Sequence, residues 1–190
     1  MTTPRAVLEF WFSPQARPRW FEKDKDFDAE IRSRFAAAVH AAQQGDLDSW
    51  QQSAESTLAL LLLLDQFSRN IHRGEAKAYL GDARARQIAD RAIARGFDQQ
   101  FTFQRQRFFY LPFEHSESLE DQRRAIDFFI AAHDRAEPQD RDEAAEQLDY
   151  AHRHRIVIER FGRFPHRNEA LGRPSTEAEI AFLREPGSSF

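Results

Sequence analysis

Residues 54–74 read AESTLALLLLLDQFSRNIHRG, and the reading of the whole chain turns on them. From Leu58 to Leu64 the side chains are apolar without a break, and at Asp65 the segment turns abruptly polar. A helix that is apolar on every side has to be surrounded by other elements. The spacing therefore predicts a central core helix from Ala54 to Asn70. The apolar run is far shorter than the roughly 20 residues that cross a bilayer, so no membrane association is expected.

On both sides of this segment, apolar residues recur at a helical period. Phe27, Ile31, Phe35 and Val39 follow at steps of four and predict a long helix to Gln44, closed by Gly45. Ahead of it, Thr3-Pro4 opens a short helix through Val7, Phe10 and Trp11, which Ser13-Pro14 stops. Beyond the core helix, Ala85, Ile88, Ala92 and Ile93 mark an amphipathic helix over 82–95, and 101–113 is densely aromatic. Pro112 removes a backbone donor and should kink or end that segment. Ser118 with Asp121 caps a helix to about Ala136, Asp140 to Phe161 is expected to be the longest, and Thr176 with Glu179 caps a last short one. The expectation is an all-α fold of antiparallel helix pairs in a tetratricopeptide-repeat-like array. Residues 1–185 would form a single helical domain and 186–190 a flexible C-terminal tail.

Composition narrows the function classes. The chain has 190 residues, a formal net charge of −4 and no cysteine. Disulfides, thiolate metal sites and cysteine nucleophiles are excluded, and a reducing cytoplasmic location fits. The acidic balance argues against nucleic-acid partners, which demand a basic field. Of 27 basic residues only Lys23, Lys25 and Lys77 are lysines. Such a bias follows from arginine-rich codon usage as readily as from ligand recognition, so each arginine has to be weighed by its position.

Three polar stretches fall where packing alone would place apolar residues. In the first, Asp65, Arg69 and Arg73 recur at steps of four with Gln66 and Asn70 beside them. This is either a charge ladder tying down a helix end or the polar floor of a pocket. In the second, the aromatic segment ending at Tyr110-Leu111-Pro112 is followed at once by Glu114 and His115, a potential acid–base pair. In the third, His154 lies on the apolar face of its helix, a position usual for a satisfied core histidine. It is followed by Arg163, His166 and Arg167 around an expected helix start, which favours anions. No glycine-rich phosphate loop, dinucleotide fingerprint or nucleophile elbow occurs, and His152-x-His154 has the wrong helical spacing for one metal. No cofactor and no metal site is expected on these grounds.

These stretches, together with Val7-Leu8-Glu9-Phe10-Trp11-Phe12 and Trp20-Phe21, resemble the mainly bacterial family catalogued as domain of unknown function 924. The motifs carrying the resemblance are Leu64-Asp65-Gln66-Phe67 with Arg69-Asn70-Ile71 and Arg73-Gly74, Tyr110-Leu111-Pro112 with Glu114-His115-Ser116-Glu117, and Arg160 to Asn168. The resemblance implies a tetratricopeptide-repeat-like helical fold and no particular activity. Ser68 departs from it, standing where the family pattern suggests proline.

Three functions fit these residues. One is a binding protein for a small anionic ligand or a peptide terminus, its pocket lined by Arg69, Asn70, Arg73, Tyr110, Glu114, His115, His154, Arg163, His166 and Arg167. Another is a metal-independent hydrolase or lyase with His115 as base and Glu114 or Asp65 assisting. The third is a helical-repeat interaction scaffold. The sequence carries no signal of oligomeric state.

Overall fold

The computed structural model describes residues 2–188, and every regular element among them is helical. The chain divides into two compact units. One runs up to Arg73 and resumes at Lys77–Pro112, and the other comprises Gly74–Ala76 and the residues from Phe113 on. No helix among the described residues is long and apolar enough to cross a membrane.

The first unit is built around the quoted stretch. Helix α1 (Pro4–Trp11) starts where the Thr3 hydroxyl accepts from the Ala6 amide. Helix α2 (Lys25–Gln44) starts at Asp24, whose carboxylate accepts from the Asp26 and Phe27 amides, and ends at Gly45 with φ 94°. Helix α3 (Ala54–Leu61) then passes into a π-helical turn, Leu62–Phe67, and on into α4 (Ser68–Ile71). Ala54 to Ile71 is thus continuously helical, but one wide turn interrupts the regular period that the sequence suggested. Such turns insert a residue into the ladder and re-aim the side chains after it. Here the Arg69 guanidinium donates to the Asp65 backbone carbonyl at 2.8 Å, tying the arginine back onto the turn.

Around this helix the core is aromatic. Phe67 packs on Phe35, Trp11 and Phe10 with ring centroids 5.0, 5.2 and 5.9 Å away, and Trp11 stacks on Trp20 at 5.7 Å. Phe67 is fully buried, and truncating such a side chain to alanine costs about 3–5 kcal/mol. Helix α5 (Asp82–Ala94) starts hard against the π turn. A Cβ on Gly81 would lie 2.5 Å from the Leu64 carbonyl oxygen, so only glycine admits this approach. Ser68 is buried, accepts from Gln43 Nε2 at 3.1 Å and donates to the Lys77 carbonyl at 3.3 Å. The serine that departs from the family pattern is therefore a polar tie that proline could not make.

The aromatic segment expected as one helix is instead three short pieces: α6 (Phe103–Gln106), a 3-10 turn Arg107–Phe109, and α7 (Leu111–Glu114). The break comes at Tyr110, before Pro112, which lies inside the first turn of α7, where its missing N–H has no helical acceptor to lose.

In the second unit, α8 (Leu119–Asp134) and α9 (Arg141–Phe161) pack along their lengths as an antiparallel pair joined through the 3-10 turn Pro138–Asp140. The Ser118 hydroxyl caps α8, as the sequence suggested, and Gly162 closes α9 with φ 69°. A 3-10 turn, Pro165–Arg167, follows, and α10 (Glu177–Phe182) starts at the predicted capping box of Thr176 and Glu179. Val157, Ile158 and Phe164 form a buried cluster with Leu119, Phe161 and Phe182 against it. Of the tail proposed at 186–190, residues 189–190 lie outside the described residues; Ser188 is buried and donates to the Leu183 carbonyl.

Candidate functional site

The polar residues that end the core helix are closed into ion pairs within the first unit. Arg69 Nη1 and Nη2 donate to the two carboxylate oxygens of Asp82 at 3.0 and 3.2 Å, and Nη1 also lies 3.1 Å from Asp65 Oδ1. Burial works against the Arg69 charge, but Asp65 and Asp82 outweigh it and raise its pKa. Asp65 also accepts from Gln66 Nε2. Arg73 does not continue the step-of-four stripe. Its Nε and Nη2 reach Asp28 on α2 at 2.7 and 2.8 Å, and Asn70 Nδ2 donates to the same carboxylate at 2.8 Å. Tyr110 donates its hydroxyl hydrogen to Asp98 at 2.7 Å. Arg69, Asn70, Arg73 and Tyr110, expected to grip an anion, and Asp65, expected to assist catalysis, are thus committed to partners inside this unit.

Arg163, in the second unit, is likewise engaged. Its Nε and Nη2 donate to the Glu179 carboxylate at 2.6 and 2.8 Å and Nη2 to the Pro174 carbonyl at 2.9 Å. The Arg163 guanidinium, with help from the Thr176 amide and against burial, holds the Glu179 carboxyl down to about 2. This pair fastens the start of α10 to the end of α9.

A different arrangement surrounds Phe164. This buried ring meets His154 edge-on at 5.6 Å and His166 at 5.6 Å, and the Arg167 guanidinium lies over it at 4.5 Å. Its backbone amide donates to Glu117, which also takes a two-pronged bond from Arg173 at 2.7 and 2.9 Å. His154 in turn lies 6.1 Å, ring to ring, from His115, and its Nδ1 is 3.4 Å from Glu114 Oε1. The same nitrogen is 2.9 Å from the Tyr150 carbonyl, an acceptor, so Nδ1 carries the hydrogen. Burial, followed by the charges of His115, Arg167 and His166, pushes the His154 pKa well down. The ring is therefore neutral, with its lone pair on Nε2.

Glu114 is held on both sides. Its Oε2 accepts from Gln147 Nε2 at 3.3 Å, while Gln122 Nε2 donates to the carbonyls of Glu114 and Ser116 at 2.5 and 2.7 Å. Gln122 is wholly buried, so it fixes the short bend that carries Glu114 and His115. One ligand atom from each of Glu114, His115 and His154 lies within 4.8 Å of the others.

Of the proposed site residues, the fold thus gathers Glu114, His115, His154, His166 and Arg167. The sequence offered no hint of Gln122 and Gln147 as supports, nor of Asp28 and Asp82 as partners, because none of the four stands out from a solvated helix face by its spacing.

The model of the family described as "Bacterial protein of unknown function (DUF924)" matches residues 7–187. No curated protein matches the chain. A solved structure of the protein of unknown function ATU0120 from Agrobacterium tumefaciens is similar at 42% identity and a TM-score of 0.83, over 95% of this chain and 96% of that one. The chain therefore belongs to the bacterial DUF924 family.

Proposed function

We propose that the protein binds a small anionic ligand, of phosphate or carboxylate type, in the second unit beside Phe164. The observation that carries this reading is the placing of Arg167 and His166 on one buried aromatic ring, with neutral His154 against the same ring and His115 next to it. Donors held at a surface of low dielectric recognise an anion more strongly than the same groups in water. His115 and His166 are half-buried, which leaves part of each ring open to an incoming ligand. Arg69, Arg73 and Arg163 have no part in this reading, since each is closed by a carboxylate.

The test is calorimetric titration of the full chain with inorganic phosphate and with short carboxylates. Saturable binding that His115→Ala weakens about tenfold or more, with the melting temperature retained, supports the site. Equal binding by the wild type and His115→Ala would sink it.

A hydrolase or lyase is the second reading, favoured by the approach of Glu114 to His154. It differs from the sequence-based version in that His154 joins His115 as a candidate base, while Asp65 drops out because Arg69 and Gln66 hold it in the other unit. Turnover of a phosphate or carboxylate ester that vanishes in both His115→Ala and Glu114→Gln would promote this reading over simple binding. Ester turnover unchanged in both variants would remove it.

A further inference from the structure

We infer that Glu114, His115 and His154 form a site for a first-row divalent metal ion of the zinc class. Sequence spacing gave no reason to expect one, because the ligands are not local to a single helix turn. Two are adjacent residues at the end of α7, and the third comes from the middle of α9, 39 residues after His115. One ligand atom of each lies within 4.8 Å of the other two. Around zinc, with bonds of about 2.0 Å, ligand atoms lie roughly 3.3 Å apart, so closure draws the three side chains together from the separation seen here.

The supports around the trio are of the kind that metal ligands use. A ligating histidine needs its other ring nitrogen fixed by an acceptor, and the Tyr150 carbonyl does this for His154 at 2.9 Å. A ligating carboxylate is in turn hydrogen-bonded, and Gln147 Nε2 reaches Glu114 Oε2 at 3.3 Å. Gln122 locks the backbone between Glu114 and Ser116, fixing the direction in which Glu114 and His115 project. All three supports are neutral groups.

The chemistry of the ligand atoms decides the class of ion. Two imidazoles and one carboxylate suit zinc, cobalt or iron and disfavour magnesium and calcium, which prefer oxygen alone. Arg167 adds positive charge nearby, which weakens a bare cation there and strengthens one that carries an anion. Three protein ligands leave a fourth position open, as zinc sites that handle substrates do. A phosphate or carboxylate oxygen fills that position, with Arg167 close by to share the charge. The inference deepens the reading of this cluster as an anion site, and rests on it for its purpose. Metal binding itself does not require the anion.

The experiment uses the full chain stripped with a chelator and titrated with Zn²⁺ or Co²⁺ alone, followed by calorimetry and by the visible absorption of Co²⁺. One ion per chain, with the absorption of a low-coordinate cobalt site, is expected. His115→Ala and Glu114→Gln should each weaken binding about tenfold or more, while His133→Ala, paired with Asp134 outside the trio, leaves it unchanged. No binding by the wild type, or equal binding by wild type and His115→Ala, overturns the inference. If Glu114→Gln does not fold, the wild type and His115→Ala decide alone. A phosphate titration of the metal-free chain separates the two proposals. Phosphate binding without metal binding leaves the anion site and removes the metal. Metal binding without phosphate binding does the reverse.

Discussion

Two polar regions of this protein look alike in sequence and differ in kind once folded. At the end of the core helix, every arginine that interrupts the apolar pattern is answered by a carboxylate from another helix: Arg69 by Asp82 as well as Asp65, Arg73 by Asp28. Around Phe164, one arginine and two imidazoles, His154 among them neutral, gather on one ring, and the carboxylate that approaches His154 is itself held by a neutral amide. Closed pairs of opposite charge hold helices in register and leave little field for a ligand. Around Phe164 the charges are mixed, since Glu117 acts on Arg167 as well as on Arg173, and the anion site proposed there rests on how these groups share one ring. The same residue types thus divide into fold determinants and site according to what faces them.

The largest effect expected from this contrast is in the first region. Arg69→Ala leaves buried Asp65 beside Asp82 without the guanidinium between them, and should destabilise the protein by about 3–5 kcal/mol in denaturant unfolding. A loss under about 1 kcal/mol would mean that the pair is decoration, and the arginine could then be reconsidered as a ligand group. Asp28→Asn should cost less, about 1–3 kcal/mol, since the amide keeps one acceptor oxygen for Asn70 and turns a donor and no charge towards the partly exposed Arg73. If Asp28→Asn proves neutral, the tie between α2 and α4 is not what holds them.

A pH titration sharpens the comparison from a third pair. The Glu179 carboxyl is lowered from 4.5 to about 2, mainly by Arg163. A carboxyl whose folded pKa is depressed contributes stability above its unfolded value and loses it as pH falls towards the folded one. Unfolding followed between pH about 5 and about 2 should therefore show a loss that Glu179→Gln removes. A profile unchanged by that substitution would detach the Arg163 pair from stability. The smallest effect belongs to the second region: His115→Ala, at a half-buried position, should shift stability by only about 0.5–1 kcal/mol while ligand binding falls. A larger loss of stability than of affinity would class His115 with Arg69.

How far the sequence carried is visible in the same residues. The helical class, the caps at Ser118 and Thr176 and the stop at Gly162 were legible, because each depends on side chains a few positions apart. The π turn at Leu62–Phe67 was not, since the local apolar run continues unbroken into it and its period cannot register an inserted residue. Nor was the fate of the arginines: Asp28 lies 45 positions from Arg73, and Glu179 lies 16 from Arg163. His154 was readable as buried, but its neighbours Glu114 and His115 come from a different element, which periodicity does not align.

The measurement that tests the contrast most directly is imidazole-detected NMR of all seven histidines during a phosphate titration. Saturable shifts are expected in His115, His154 and His166, with His40, His72, His133 and His152 unmoved. Uniform small movement of every ring, or movement of His72 beside the Arg69 and Arg73 network alone, would contradict the assignment of the anion site to the cluster around Phe164.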